Sequence, residues 1–202
     1  VAVHPRTGEV YCSLTNNRQR SAVDPANPRA DNSFGHIIRW REGDGQGAAA
    51  AATSFAWDIF VLCGDPQHPD PDKRGNIRGD AFASPDGLWF DPDGRLWIAT
   101  DISGSAVNRG DHERFGNNQL LVADVASGEI RRFLTGPRGC EITGLTASPD
   151  GCNLFINVQH PGEVVGGRFD PAQPLAGAAW PASQFPELTG GRPRSATIVI
   201  RR

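Results

Sequence analysis

The stretch LWFDPDGRLWIATD, residues 88–101, reads as two short strands joined by a tight turn. Leu88, Trp89 and Phe90 are apolar strand material, as are Leu96, Trp97 and Ile98. Between them, Asp91-Pro92-Asp93-Gly94 has the chemistry of a turn: proline presets φ near its turn value and glycine supplies a positive φ without steric cost. The same unit recurs twice. VAVHPRTGEVYCSLTN (1–16) turns at His4-Pro5-Arg6-Thr7-Gly8, and LTASPDGCNLFINVQ (145–159) turns at Ser148-Pro149-Asp150-Gly151. The turn glycines Gly94 and Gly151 lie 57 residues apart, while Gly8 lies 86 before Gly94, so the first interval holds insertions.

Further strands are expected at 35–40 (GHIIRW), 54–62 (SFAWDIFVL) and 195–200 (SATIVI), with a hairpin over 119–134 around Ser127-Gly128. Repeated units of about four strands give an all-β fold and point to the blades of a β-propeller. A β-sandwich is the alternative, and it leaves the repeat unexplained. Loops 17–34 and 63–80 are polar and proline-rich, and are expected to stay out of the core. Region 160–194 reads mostly as loop, and GQGAAAAA (45–52) as an exposed connection.

Bulk properties agree with a turn-dense globular chain. Its 202 residues are 38% hydrophobic and 21% charged, enough for one domain with a real core. Gly (24) and Pro (16) together make a fifth of the chain. A net charge of −3 leaves no electrostatic footprint for nucleic acid. No apolar run reaches the roughly 20 residues of a membrane span. The four cysteines (Cys12, Cys63, Cys140, Cys152) form no Cys-x-x-Cys pair, and their spacing fixes no disulfide pairing. The chain begins on Val1, within an apolar alternation, and contains no methionine. It is therefore read as a fragment whose N-terminal part lies upstream.

Polar residues gather at the ends of these strands. The 57-residue offset sets Ser84-Pro85-Asp86-Gly87 against Glu141-Ile142-Thr143-Gly144, so Asp86 and Glu141 occupy nearly equivalent places. In a propeller such positions face one mouth of the channel, where the two carboxylates could converge. Asn16-Asn17, Asp101 and His160 mark the ends of the following strands. Carboxylates and amides suit hard cations such as Ca²⁺ and Fe³⁺. The bland reading is that these residues cap turns, and it is adopted for Asp93 and Asp150. Glu141 has no obvious turn role. A second cluster, Arg29, Asn32 and His36 beside Gly35, precedes a clear strand. Arginine can grip phosphate through two parallel bonds, but from the residues alone a loop salt bridge is the better reading of Arg29. Gly-x-Ser-x-Gly, Walker and His-Glu-x-x-His patterns are absent, and the close glycines at 43–48 precede no helix suited to a dinucleotide.

Several long segments resemble the PhoX family of bacterial alkaline phosphatases. They are TNN (15–17), NPRADNSFGHIIRWRE (27–42), SPDGLWFDPDGRLWIATD (84–101), GNNQLL (116–121), RRFLTGPRGCEITGLTASPDGCNLFINVQHPGE (131–163) and GRPRSATIVI (191–200). The resemblance runs through almost the whole chain, in order, and corresponds to the C-terminal part of that family. It implies a six-bladed propeller, of which residues 1–202 would supply three to four blades, the N-terminal ones being missing. It implies a protein exported to the periplasm or beyond, monomeric when full length, that hydrolyses small phosphomonoesters with ferric iron and calcium. By motif, Glu141 is carried over as a metal ligand, with Asp86 and Asn17 as further ligands and Arg29 and Asn32 as catalytic residues. The family's Cys-Glu-Glu motif has no counterpart here, so the isolated segment is expected to be inactive. No side-chain nucleophile is visible, in keeping with a metal-centred mechanism.

Two other functions remain open at this point. A gluconolactonase-like propeller hydrolase shares the short pattern at 85–97, with Asp86 as ligand and base. A non-catalytic, calcium-stabilised propeller scaffold would use the same oxygen ligands for rigidity.

Overall fold

The computed structural model describes residues 1–43, 51–163, 170–185, 187 and 192–201. The expected connection at 45–52 lies outside them except for its last two residues. The chain divides into two compact units, one of residues 1–99 and 121–132, the other of 100–120 and 133–202.

The first unit contains a four-stranded antiparallel sheet, β1 (Ala2–Val3), β2 (Val10–Leu14), β3 (His36–Glu42) and β4 (Phe55–Leu62), hydrogen-bonded in chain order. A second sheet joins β5 (Arg78–Gly79), β6 (Pro85–Phe90), β7 (Leu96–Thr100), β8 (Gln119–Asp124) and β9 (Glu129–Thr135) in the order β5-β9-β8-β7-β6. In it the short β5 runs parallel to β9, with Arg78 opposite Glu129. Alternation aims Tyr11 of β2, Ile37 of β3 and Leu96 and Ile98 of β7 into the core, where all four are fully buried. The Tyr11 ring meets Phe60 and Phe90 edge-on at centroid distances of 5.2 and 5.1 Å. Its hydroxyl donates to Glu9 Oε2 at 2.9 Å. Burial, with Glu9 nearby, pushes the Tyr11 phenol up to about 12.

The second unit is organised on a three-stranded antiparallel sheet, β10 (Glu141–Ala147), β11 (Asn153–Gln159) and β12 (Ala196–Arg201). Ile142, Ile156 and Val158 lie on its buried face, and Ile102, Phe115, Leu120 and Cys140 complete the core of this unit. The β10–β11 pairing shifts register between Thr143 and Thr146, around Gly144. Gly144 sits at φ 55°, and a Cβ there would meet the Asn157 amide at 2.3 Å. Glycine suits this bulge in both backbone conformation and space.

All three repeated units are hairpins, and their turns share one pattern of main-chain bonds. The residue that opens each turn donates its N–H across it: His4 to Glu9, Asp91 to Arg95, Ser148 to Asn153. The turn glycine then donates back to that opening residue: Gly8 to His4, Gly94 to Asp91, Gly151 to Ser148. All three glycines have positive φ (71°, 87° and 68°). The strands expected at 35–40, 54–62, 119–134 and 195–200 are present as β3, β4, the β8–β9 pair and β12. The fold is all-β with two short 3-10 turns among the described residues, and no sheet closes on itself.

One expectation needs correction. Loops 17–34 and 63–80 do enter the core. Phe34, Cys63 and Ile77 are buried, and so are the polar Asn27, Arg29, Asn32, Asp65 and His68. The physical reason is that side-chain donors reach the main-chain carbonyls that these loops would otherwise bury unsatisfied. All four cysteines are free thiols. No helix among the described residues is long and apolar enough to cross a membrane.

Candidate functional site

The candidate residues fall in two clusters, one in each unit. In the first unit, Asn32 is a hub with 1% of its surface exposed. Its Oδ1 accepts from the Gly35 N–H at 3.1 Å and from Arg29 Nη1 at 3.4 Å. Its Nδ2 lies 3.0 Å from His36 Nδ1, and His36 Nε2 lies 2.9 Å from the Ala26 carbonyl. The Asn32 amide donates, so Nδ1 accepts, and the imidazole N–H sits on Nε2, donating to Ala26. Desolvation, with the Arg29 charge alongside, holds the His36 pKa below the ordinary histidine value despite the bond to Ala26. Gly35, at φ 74°, makes the approach possible, since a Cβ there would lie 2.1 Å from the Thr15 carbonyl oxygen.

Arg29 is also buried. It donates through Nη1 to the Cys63 carbonyl at 2.8 Å and through Nη2 to the Arg74 carbonyl at 2.6 Å. Its guanidinium lies 5.7 Å from the centroid of the Phe34 ring. Burial lowers its pKa. The bonds described for it are to carbonyls and an amide, so the loop salt bridge weighed above is replaced by main-chain clamping. Asn17 joins this cluster through its backbone, donating its N–H to the Asn32 carbonyl at 2.7 Å. Its side-chain oxygen caps its own loop, accepting from the N–H groups of Gln19 and Arg20 at 3.3 and 3.1 Å. Asp86 lies at the start of β6 with an exposed side chain. Its carbonyl accepts from Ser13 Oγ of β2 at 2.6 Å.

In the second unit, Glu141 is the first residue of β10 and pairs across the ladder with Gln159, the last of β11. Paired positions point to one face of a sheet, and Gln159 Nε2 donates to Glu141 Oε2 at 2.8 Å. His160 then leaves the strand in the left-handed region, at φ 38°. Its Nε2 lies 3.5 Å from the same Glu141 oxygen, and its Nδ1 lies 3.7 Å from Glu163 Oε2. The Glu141 side chain is 12% exposed, that of His160 39% and that of Glu163 55%. The acid thus sits at the inner end of a cluster that opens to solvent.

Residues outside the expected set build this corner. Asn118 Nδ2 donates to the carbonyl of Cys140, beside Glu141, at 2.9 Å, and to that of Ile102 at 3.1 Å. Its Oδ1 accepts from Thr100 Oγ1 at 3.0 Å and from the Ile102 N–H at 2.7 Å. The tandem amides of Asn117-Asn118-Gln119 at the start of a strand were the available signal, since buried amides need an arranged set of partners. The Gln119 Oε1 atom is buried without a hydrogen-bond partner among the described residues. Burial first, then the nearby Glu141 charge, pushes the Cys140 thiol up to about 12. Cys140 is therefore a packing residue at neutral pH.

Asn17, Arg29 and Asn32 come together, and Glu141 comes together with His160 and Glu163. Glu141, Asp86 and Asn17 offer hard oxygen donors, the type that calcium and ferric iron prefer. Among the described residues no three of His, Cys, Asp or Glu gather closely enough to hold a metal ion by themselves. The donor chemistry fits such cations, but a complete ligand set needs groups beyond these.

Comparison with known proteins gives the context. The family described as alkaline phosphatase PhoX matches residues 1–162. The chain is similar to the solved structure of Pseudomonas fluorescens PhoX in complex with vanadate, a transition-state analogue, with 44% identity and a TM-score of 0.81. That match covers 99% of this chain and 32% of the other, so the chain spans about a third of that relative's length. No curated protein sequence matches it. The match over residues 1–162 and the likeness in sequence and fold agree with each other, and the chain belongs to the PhoX family of alkaline phosphatases.

Proposed function

We propose that this chain supplies part of the catalytic domain of a metal-dependent alkaline phosphatase that hydrolyses small phosphomonoesters. The three sheets would be blades of a six-bladed propeller, and the protein an exported monomer. The observation that carries the site reading is the Glu141 carboxylate. It stands at a strand end, largely shielded, with an amide and an imidazole directed at one of its oxygens. A turn cap would instead bond its own loop's N–H groups, as Asp150 does with the Cys152 N–H at 3.0 Å.

Glu141 would hold a hard cation, and Asp86 and Asn17 are each proposed as hard oxygen donors of the first unit. Ferric iron and calcium, when bound, would supply positive charge to neutralise phosphate oxygens as charge develops. The β10–β11 ladder fixes the position of the Glu141 backbone, and Asn118 anchors the preceding carbonyl. Arg29 and Asn32, carried over above as catalytic, are given a positioning role instead, because their bonds hold loop 27–36 against residues 63 and 74. Vanadate mimics a phosphoryl group in transfer, and its capture by the Pseudomonas fluorescens relative supports the substrate class.

The test uses the longer protein that contains this segment. It is assayed for aryl-phosphate turnover at alkaline pH, as purified and after metal stripping verified by elemental analysis. The expected result is turnover that disappears with the metals and returns with iron and calcium. No turnover in the metal-replete protein, or full turnover in the stripped one, would contradict the proposal.

A further inference from the structure

We propose that Gln159 and His160 are positioning residues that fix the orientation of the Glu141 carboxylate for a cation, an inference that rests on Glu141 being a metal ligand. Both converge on one oxygen, Oε2. Gln159 donates to it at 2.8 Å from the facing strand, and His160 Nε2 stands 3.5 Å away. A carboxylate has lone pairs on both oxygens, so it can accept from neighbours and still ligate a cation. Outer partners of this kind set the direction of the lone pairs offered to a metal.

The backbone around His160 is built to hold that ring. A left-handed conformation is strained at a residue with a Cβ, and a strand end that needed only to turn would take glycine or asparagine. Here the conformation is over-determined. The His160 N–H donates to Ser195 Oγ at 2.9 Å, and the His160 carbonyl accepts from the Glu163 N–H at 3.1 Å. The Gly162 N–H donates to the Arg138 carbonyl at 2.8 Å, tying the turn to the segment before β10. Gly139, at φ 69°, lies so close to residue 163 that a Cβ would come within 2.8 Å of its nitrogen. The ring's Nδ1 lies 3.3 Å from the Gly139 carbonyl, which can only accept, so the imidazole N–H sits on Nδ1, and Nε2 stands against Glu141 as a packing contact rather than a hydrogen bond. The effect of the turn is to bring an imidazole, with two ordered faces, against the acid.

The experiment compares three variants of the metal-stripped longer protein: Glu141→Gln, Gln159→Leu and His160→Asn. Asparagine tolerates the left-handed backbone but is too short to reach Glu141. Each is titrated calorimetrically with calcium, and the melting temperature of the metal-free form is recorded. The expected result is a calcium affinity about 10–100-fold weaker for Gln159→Leu and His160→Asn, with metal-free melting temperatures like the parent's, and no binding at this site for Glu141→Gln. Parent-like affinity in both positioning variants, beside lost binding in Glu141→Gln, would overturn the inference and leave the ligand reading standing. Parent-like affinity in Glu141→Gln would remove the ligand reading and the inference with it. Weakened binding accompanied by an equally lowered metal-free melting temperature would assign the two residues a structural role and also overturn it.

Discussion

Two polar clusters of similar sequence character have opposite architecture. Around Asn32, the bonds of Arg29, Asn32 and His36 turn inward, onto the carbonyls of Cys63, Arg74 and Ala26 and the N–H of Gly35. All three residues are buried. Around Glu141, two acids flank an imidazole and the cluster grades from a shielded carboxylate to an exposed one. The first arrangement replaces water for loops that cross the core. The second concentrates oxygen donors at a strand end that opens to solvent. Arginine, asparagine and histidine in one string therefore need not mean a phosphate site, because the cost of burying loop carbonyls calls for the same residues.

The largest effect should come from removing the context of both clusters. Expressed alone and supplied with iron and calcium, the 202-residue segment is expected to hydrolyse no aryl phosphate above background. Among its described residues the candidate ligands are too few to hold an ion by themselves. Unpaired strand edges would favour aggregation. Turnover per site near that of the longer protein would break the contrast, since the Glu141 region would then suffice by itself.

A smaller effect separates the clusters by stability. Asn32→Ala leaves the Gly35 N–H and His36 Nδ1 without their partner, which should cost about 2–3 kcal/mol. Thermal or denaturant melts of the metal-free protein would measure it. A change below about 0.5 kcal/mol, the range of ordinary surface substitutions, would mean that the Asn32 network is not the scaffold described here.

Smaller still is a pH effect at His36. Its folded-state pKa is lowered from 6.5, mainly by desolvation, so the unfolded chain binds the proton more readily. The neutral imidazole's contribution is complete above the unfolded value and is lost as pH falls below about 6.5 toward the folded value. The parent should thus lose more stability between pH 7.5 and 5.5 than His36→Gln, in melts of the metal-free protein. Parallel pH curves for the two proteins would contradict this account.

The hairpins were legible in the sequence because their determinants are local. A proline, a glycine and flanking apolar residues specify each turn within a few positions. Glu141 stood out because it had no turn to cap, and its proximity to His160 follows from a ladder that pairs it with Gln159. The packed loops were not legible. Arg29 reaches a carbonyl 45 residues away and Asn118 one 22 away, and neither separation leaves a periodic trace. The parallel pairing of Arg78–Gly79 with Glu129–Ile130 escaped for the same reason. A two-residue strand has too little alternation to read.

The contrast between the clusters is tested most directly by the metal-to-protein ratio of the folded longer protein carrying Glu141→Gln, beside Asn32→Ala and the turn variant Asp150→Asn. Glutamine keeps the size of the acid and removes the charge that holds a hard cation. Glu141→Gln should be metal-poor and inactive while its metal-free form melts like the parent. Asn32→Ala should melt lower but retain the parent's metal ratio in the molecules that stay folded, and Asp150→Asn should match the parent in both. A Glu141→Gln protein with the full metal complement, or equal metal loss in all three variants, would contradict the assignment of Glu141 as the ligand.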